Sequence, residues 1–436
     1  MEQALHRSSR ASGIRLVTES MPGARSVAVG AWIGVGSRFE TPEESGVSHF
    51  LEHMLFKGTP TRSPQRIAEE FDGLGGEVNA ATGKDYTVVY ARVLDDLVGD
   101  AFEIVSDMLQ RPAMAELEQE REVVLEEIAM YEDDPQDKVH DLATQALFPG
   151  QAMGRPGIGL GEVVGSVTAD EVRRYHASHY TSPNVVVAAA GHVDHETLGE
   201  LCDRHLGELA QAPSAGAIEP AVAGGPRLLV EEKPTEQYHL SLSGPGLSRS
   251  DDRRHAMQVL DVILGGAMSS RLFQEVREKR GLAYSVGSYT VGYADTGQLG
   301  VYVGTRGDNL GQVCEIVRTE LLRLGSERVS PAELRRAKDH LKGRLVLGLE
   351  SPGNRMNRIG RAVLGDTELL SVDEIVERIE AVGADDLQGI AEEHWDPAGL
   401  SGAAIGTSSR TIADAAGRLS TDLADAVSSV GSSSRA

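Results

Sequence analysis

The chain is poor in cysteine, with only Cys202 and Cys314 among its 436 residues. Two thiols so far apart exclude a disulfide scaffold, an iron–sulfur cluster and a zinc ribbon, because each of these needs more cysteines. A chain of this length buries enough apolar surface to fold without cross-links. Since free thiols suit a reducing compartment, we expect a cytoplasmic protein.

Basic residues are also scarce. The 42 Lys and Arg stand against 66 Asp and Glu, which gives a net charge of −24. Binding to nucleic acid or to anionic lipid requires a basic surface, so both partners are disfavoured. The sequence has no apolar run approaching the ~18 residues of a membrane-spanning helix. The first twenty residues also lack the apolar core of a signal peptide. We therefore predict neither a nucleic-acid partner nor a membrane partner.

A small-residue stretch rich in Gly and Pro lies near the middle of the chain. Residues 213–226 show neither a helical nor a strand period, and we predict that they form a linker. This linker separates residues 1–212 from residues 227–415. Residues 416–436 become rich in Ser, Ala and Gly and end in VSSVGSSSRA, which predicts a partly disordered C-terminal tail.

The segments on the two sides of the linker resemble each other. Each has an apolar helix, a pair of strands and a helix with the tripeptide Glu-Ile-Val, at residues 103–105 and 315–317. Ala-Glu-Leu follows in both, at residues 115–117 and 332–334, so the two matches are offset by 212 and 217 residues. A duplicated domain explains this repetition. We predict an α+β fold of two homologous domains, each a mostly antiparallel sheet with helices packed on one face.

The chemically informative residues begin in the segment SGVSHFLEHMLFKG, residues 45–58. His49 and His53 are four residues apart, so on a helix both imidazoles project from one face and can bind the same cation. Glu52 shares that face and can take a proton from a metal-bound water. The alternative is a chance HxxEH match on an amphipathic core helix, which the motif alone does not exclude.

A catalytic zinc ion takes three protein ligands and keeps one position open, so a third ligand must come from elsewhere. The acidic segment ELEQEREVVLEEIAMYEDD places Glu120 and Glu127 on its apolar stripe, where a carboxylate is costly unless it is paired or binds a metal. We assign Glu127 as the third ligand and Glu120 as an auxiliary carboxylate behind the ligands. Glu126 is the alternative ligand, and a hydrated acidic helix face is the alternative for the whole segment.

The second half of the chain lacks these residues. With an offset of 217, Ala337 stands opposite Glu120 and Arg344 opposite Glu127, and no HxxEH occurs there. We expect one catalytic domain, in residues 1–212, and one inactive copy, in residues 227–415.

HFLEHMLFKGT at residues 49–59, followed by EREVVLEEI at residues 120–128, resembles the inverzincin zinc peptidases. These include pitrilysin, insulin-degrading enzyme and the mitochondrial processing peptidase, and the resemblance extends over nearly the whole chain to the short, two-domain bacterial members. It implies one Zn²⁺ per chain, bound by His49, His53 and Glu127, with Glu52 as the general base.

The same resemblance implies a substrate site. The strand formed by Asn79, Ala80, Ala81 and Thr82 would offer its edge to an extended peptide, as in β-augmentation. Arg277 and Tyr284, seven residues apart in RLFQEVREKRGLAYSV, would hold the substrate carbonyl and stabilise the developing oxyanion. Longer relatives enclose a chamber with four such domains. A two-domain chain therefore implies a dimer, with Arg277 and Tyr284 acting in trans. Short relatives form homodimers or heterodimers of active and inactive partners, and a homodimer is favoured here because one chain carries both the metal motif and the Arg/Tyr pair.

The resulting expectation is a zinc-dependent endopeptidase that cleaves extended peptides or unfolded segments inside a closed chamber. An inactive structural subunit of the same fold is the first alternative. A dinucleotide enzyme is the second, because GIGLGE at residues 157–162 and GVGSRF at residues 34–39 are rich in glycine. Neither segment completes GxGxxG, so we interpret both as turns.

Overall fold

The structure is a computed structural model that describes residues 5–213 and 218–430. Its strands, in chain order, are β1 (Leu5–Ser9), β2 (Arg15–Ser20), β3 (Ser26–Ile33), β4 (Glu77–Thr82), β5 (Thr87–Leu94), β6 (Val185–Gly191), β7 (Leu228–Glu232), β8 (Tyr238–Gly246), β9 (Ala283–Gly292), β10 (Gly297–Thr305), β11 (Ser401–Gly406) and β12 (Val427–Ser429).

The α-helices of the same residues are α1 (Val47–Leu55), α2 (Pro64–Leu74), α3 (Val98–Gln110), α4 (Leu117–Asp133), α5 (Pro135–Leu147), α6 (Gly161–Val164), α7 (Ala169–His179), α8 (His195–His205), α9 (Arg254–Leu264), α10 (Gly307–Ser326), α11 (Pro331–Gly348), α12 (Pro352–Leu364), α13 (Val372–Ala381), α14 (Ala384–His394), α15 (Ser409–Leu419) and α16 (Thr421–Asp425). None of these helices combines the length and the hydropathy needed to span a membrane.

Internal contacts divide the chain into two compact units. The first unit contains the described residues of Met1–Ala129, Pro156–Glu219 and Val346–Leu369, and the second contains those of Met130–Arg155, Pro220–Leu345 and Leu370–Ala436. The chain passes from the first unit to the second between residues 219 and 220, within the predicted linker 213–226. Residues 214–217 of this linker lie outside the described residues. Each half of the chain also contributes one segment to the other unit, which the sequence analysis did not predict.

The two sheets have the same strand order. The first unit has β1-β2-β6-β3-β5-β4 and the second has β12-β7-β11-β8-β10-β9. The pairing of β2 with β6 is parallel, as is that of β7 with β11. The outermost pair differs, because β1 runs antiparallel to β2 whereas β12 runs parallel to β7. The remaining pairs are antiparallel. The predicted α+β fold of two homologous, mostly antiparallel sheets is confirmed.

Alternation along β3 explains how the first sheet is packed. Val27 and Val29 point into a core shared with α1 and α3, whereas Ala28 and Trp32, on the opposite face, belong to another apolar cluster. The second cluster includes Met356 and Ile359 of α12. Helices therefore cover one face of the first sheet, as predicted, and α12 covers the other face in addition.

The second sheet has a matching arrangement. Val139 and Leu142 of α5 pack against Ala403 and Ile405 of β11, on the face away from the main core of that unit. Thus α5, from the first half of the sequence, covers the second sheet, and α12, from the second half, covers the first.

A buried ion pair fixes α12 to the first sheet. The carboxylate of Glu19 on β2 is 1% exposed and accepts hydrogen bonds from Arg355 and, at 2.9 Å, from Arg358. Gly360 allows close approach, because a Cβ at this position would lie 2.8 Å from the ring of Trp32.

The predicted C-terminal tail is ordered over most of its length. Residues 416–430 include the end of α15, the short helix α16 and the strand β12. Leu423 of α16 packs into the second core, and Val427 of β12 pairs with Leu228 of β7. Residues 431–436 lie outside the described residues.

Candidate metal centre

The helix α1 carries the HxxEH motif, and a buried carboxylate stabilises its first turn. The buried carboxylate of Glu40 accepts the backbone N–H of Gly46 at 2.8 Å and that of Ser48 at 2.7 Å. These bonds satisfy N–H groups that a helix start otherwise leaves unpaired, and the negative charge suits the positive end of the helix dipole. The start of α1 is thereby fixed close to the residues that carry the chemistry.

A close contact between two glycines also stabilises the start of α1. Gly46 and Gly159 both have positive φ, +100° and +93°, and a Cβ on Gly159 would lie 2.2 Å from Cα of Gly46. Leu160 also donates its N–H to the backbone oxygen of Ser45 at 3.4 Å. Gly159 of the GIGLGE segment therefore allows close packing against the start of α1.

The structure brings His49, His53 and Glu127 together. One nitrogen of each imidazole and one carboxylate oxygen lie within 4.8 Å of one another. Nε2 of His53 is 3.3 Å from Oε2 of Glu127, and Nε2 of His49 is 3.7 Å from the same oxygen. Two ligands of a tetrahedral zinc ion at ~2.1 Å are separated by roughly 3.4 Å, so this spacing is close to what a shared ion requires.

The His49 imidazole also has the charge state that metal binding requires. Burial, and secondarily the charge of His53, lowers the pKa of His49 to about 4. The His49 imidazole is therefore neutral at pH 7, which is the form that binds a cation. Its Nδ1 is buried and has no hydrogen-bond partner among the described residues. Two imidazole groups and one carboxyl group are ligand types that zinc prefers, and we conclude that these three residues fit the ion.

Glu52 lies beside the three ligands. Burial raises the pKa of its carboxyl, while the hydrogen bond from Thr82 and the charge of His53 oppose that rise. The Thr82 hydroxyl donates to Oε2 of Glu52. A carboxylate that is half-buried, held by one hydrogen bond and close to the ligands is suited to accept a proton.

Glu120 lies behind His53 rather than among the ligands. Its Oε1 accepts the Nδ1–H of His53 at 2.8 Å, and its Oε2 pairs with the ammonium of Lys57. The Glu120 side chain is 6% exposed. The contact with His53 is compatible with the auxiliary role expected for Glu120, which stays a prediction. Lys57 was missed, although it follows His53 by four residues, one helical turn.

Arg121 anchors α4, which supplies both glutamates. The buried guanidinium donates to the backbone oxygens of Val164 and, at 2.7 Å, of Val167, and it pairs with Glu118 at 3.0 Å. This attachment fixes the rotation of α4 about its axis. Glu126, the alternative ligand, is exposed and lies off the face that carries Glu120 and Glu127.

Asn79 to Thr82 lie on β4, the last strand of the first sheet, and among the described residues β4 pairs with β5 alone. Asn79 and Ala81 are exposed, whereas Ala80 is buried. The side-chain oxygen of Asn79 accepts the N–H of Ala80 at 2.8 Å. The predicted peptide-binding segment is thus a free sheet edge whose final residue, Thr82, contacts Glu52.

Arg277 and Tyr284 belong to the second unit, and there they contact each other. Arg277 lies in the π-helical segment Phe273–Glu278, and Tyr284 lies near the start of β9. The guanidinium donates to the Tyr284 backbone oxygen at 3.0 Å, and its carbon is 4.3 Å from the centre of the Tyr284 ring. The Tyr284 side chain remains 74% exposed. The pair is therefore preassembled, with Arg277 on the helical segment and Tyr284 on β9, the edge strand of the second sheet.

Two family profiles match the chain. The profile described as Insulinase (Peptidase family M16) matches residues 15–159, and that of the Peptidase M16 inactive domain matches residues 166–341. An uncharacterized zinc protease of Streptomyces coelicolor is 46% identical over 402 residues, which cover 89% of this chain and 87% of the relative. One of Bacillus subtilis is 41% identical over 384 residues, which cover 88% and 93%.

Solved structures share the fold. A protease from Helicobacter pylori superposes with a TM-score of 0.86 over 93% of this chain and 99% of the other, and a peptidase M16 inactive domain from Pseudomonas fluorescens with 0.85 over 93% and 98%. Both are 20% identical in sequence, so they bear on the fold alone. Because relatives at least 40% identical align over nearly nine-tenths of the chain, and the profile match includes the HxxEH segment, the chain belongs to the insulinase family, peptidase family M16.

Proposed function

We propose that this chain is a zinc-dependent endopeptidase that cleaves extended peptides or unfolded segments. The convergence of His49, His53 and Glu127 beside Glu52 is the single observation that carries the proposal. The names of the relatives from Streptomyces coelicolor and Bacillus subtilis, both zinc proteases, support the choice of metal and reaction.

The roles of the residues follow from their positions. His49, His53 and Glu127 would hold one Zn²⁺, which when bound lowers the pKa of its water and polarises a carbonyl. The carboxylate of Glu52 accepts the proton of the attacking water and delivers it to the nitrogen of the leaving amine. Thr82 keeps that carboxylate oriented, and Glu120 keeps His53 oriented.

The free edge of β4 supplies the substrate site in this proposal. An extended peptide would add as a further strand along Asn79 to Thr82, held mainly by backbone hydrogen bonds with little side-chain selection. Because Thr82 contacts Glu52, a peptide on this edge passes next to the general base.

We further propose a homodimer that encloses its substrate in a chamber, with Arg277 and Tyr284 of one chain serving the metal site of the other. The chain carries both the metal residues and a preassembled Arg–Tyr pair, which supports two identical active subunits. The alternative, an inactive structural subunit, is disfavoured because no ligand and no general base has been replaced in this sequence.

The decisive test compares Glu52→Gln with wild type on a quenched-fluorescence peptide library. We expect the variant to retain one zinc ion per chain and to cleave at least ~10²-fold more slowly, the usual contribution of a general base. Glu126→Gln, on the exposed side of the same helix as Glu127, is the matched control and should be unaffected. A chelator should abolish wild-type cleavage, and added zinc should restore it. Wild-type cleavage by Glu52→Gln would refute the proposed mechanism.

A further inference from the structure

Lys57 forms the outer end of a chain of contacts that leads to the metal ligands. Its ammonium pairs with Oε2 of Glu120, and the other carboxylate oxygen accepts the Nδ1–H of His53 at 2.8 Å. Nε2 of the same imidazole lies 3.3 Å from Glu127. One side chain just beyond the end of α1 is thus connected to the ligand set through two successive hydrogen-bonded contacts.

Lys57 compensates for the hydration that the Glu120 carboxylate loses on burial. A carboxylate that is 6% exposed loses most of its hydration, and this loss is costly unless other groups replace the water. His53 supplies a partner for one oxygen and Lys57 supplies both a partner and a compensating charge for the other. With both oxygens engaged, the carboxylate has a fixed rotation and holds the His53 ring in one orientation.

The tautomer of His53 depends on the same contact. A carboxylate accepts only, so the bond to Oε1 places the ring proton on Nδ1 and leaves the lone pair of Nε2 free for a metal. Partners of this kind commonly set how tightly a histidine site holds its ion. If Lys57 were removed, Glu120 would have an uncompensated charge and could turn away from His53 toward water.

We propose that Lys57 is a positioning residue of the metal site: through Glu120 it fixes the orientation and tautomer of His53 and so increases zinc affinity. This inference rests on the proposed zinc function. The direction of the change in zinc affinity distinguishes two effects of Lys57, because direct repulsion between its ammonium and a divalent ion would lower the affinity, whereas positioning of His53 raises it. Removal of Lys57 therefore weakens zinc binding if positioning dominates and strengthens it if repulsion dominates.

The test measures zinc dissociation constants of metal-free protein by competition with a chromophoric chelator. We expect Lys57→Met to bind zinc about tenfold more weakly, the lower end of the range for such partners. Lys57→Arg should recover most of the affinity because it keeps the charge and a donor. Lys342→Met is the matched control, since Lys342 also pairs with acidic groups but lies in the second unit. Lys57→Met affinity equal to that of Lys342→Met, or tighter, would overturn the inference.

A double-mutant cycle tests the route through Glu120. If Lys57 acts only through that carboxylate, Glu120→Gln and the Lys57→Met/Glu120→Gln double variant should have the same zinc affinity. Additive losses would refute the route. Thermal unfolding of each metal-free variant separates local from global effects, and Lys57→Arg retains a readout if Lys57→Met is unfolded. A wild-type protein that binds no zinc would instead refute the proposed function itself.

Discussion

At the scale of single residues, each reactive side chain has a partner that holds it. His53 is held by Glu120, Glu52 by Thr82, and the α4 helix that carries Glu127 by Arg121. Such supports matter because a misplacement of about 1 Å can cost ~10²-fold in rate. His49 is the exception, since its buried Nδ1 has no hydrogen-bond partner in the described part of the chain and packing alone sets its orientation there.

Substitution of Thr82 tests its support of Glu52. We expect Thr82→Val to lower kcat by roughly tenfold or more, because a hydrogen bond to a charged group contributes about 1.5–3 kcal/mol. KM and zinc content should change little. Thr82→Ser, which keeps the hydroxyl, should restore kcat. Loss of zinc from Thr82→Val, or an unchanged kcat, would show that the hydroxyl does not act on Glu52.

Removal of one imidazole tests the ligand set. We expect His49→Ala to lose zinc, because two remaining ligands are too few to retain the ion at catalytic-site affinity. Elemental analysis after gel filtration gives the metal content. His340→Ala removes an exposed histidine from the second unit and serves as the control. Stoichiometric zinc in His49→Ala would contradict the assignment.

The residue types of the site could be predicted because their spacing is local. A four-residue separation places His49 and His53 on one helix face whatever the rest of the chain does. The choice between Glu126 and Glu127 was harder, since adjacent residues differ by only part of a turn and the rotation of α4 depends on distant contacts of Arg121. Lys57 was missed because its partner, Glu120, lies on another helix.

At the scale of elements, the edge strand β4 has the clearest functional consequence. Strand addition depends on backbone groups that face outward at alternate positions. We expect single N-methylation along a good peptide substrate to raise KM with a period of two residues around the cut site. Side-chain substitutions at the same positions should have smaller effects. A flat profile along the peptide, measured by steady-state kinetics, would argue against strand addition at β4.

The attachment of α12 gives a stability prediction. We expect Glu19→Ala to lower the free energy of unfolding by about 3 kcal/mol, because it leaves Arg355 and Arg358 without their buried partner. Glu77→Ala removes a surface ion pair with Arg92 and should cost less than ~1 kcal/mol. Urea titration followed by circular dichroism measures both. Equal losses would mean that the Glu19 cluster does not hold α12.

Elements with a local period were predictable, whereas their long-range partners were not. Alternation identifies β3 as a strand, but nothing in residues 26–33 indicates that Trp32 packs under a helix more than 300 positions later. The second unit shows how the copy diverged. On α9, the half-buried Asp261 accepts a hydrogen bond from Ser288 of β9 at 2.6 Å, much as Glu52 does from Thr82 of β4, but α9 carries no histidine pair of this kind.

At the scale of the whole molecule, the proposed sharing of sites between chains can be tested by mixing. A His49→Ala chain keeps Arg277, and an Arg277→Ala chain keeps the metal ligands. If chains exchange randomly in a C2 dimer, half of the dimers are mixed and each has one complete site, so about one quarter of wild-type activity should return. The absence of any recovery, with mixed dimers demonstrated by differential tags, would exclude action in trans.

The duplication was visible in the sequence because the Glu-Ile-Val and Ala-Glu-Leu matches keep nearly the same offset. The shared strand order of the two sheets agrees with it. The domain boundaries were less accessible, since the exchange of residues 130–155 and 346–369 depends on which sheet surface each helix covers.

The reciprocal placement of α5 and α12 makes the two halves of the chain depend on each other. A polypeptide truncated near residue 226 would leave Trp32, Val186 and the surrounding apolar patch bare, because Met356 and Ile359 would be missing. Such a fragment would aggregate rather than persist as a folded protein. Loss of the second half through a nonsense codon would therefore disable the first half as well, so natural selection acts on both together.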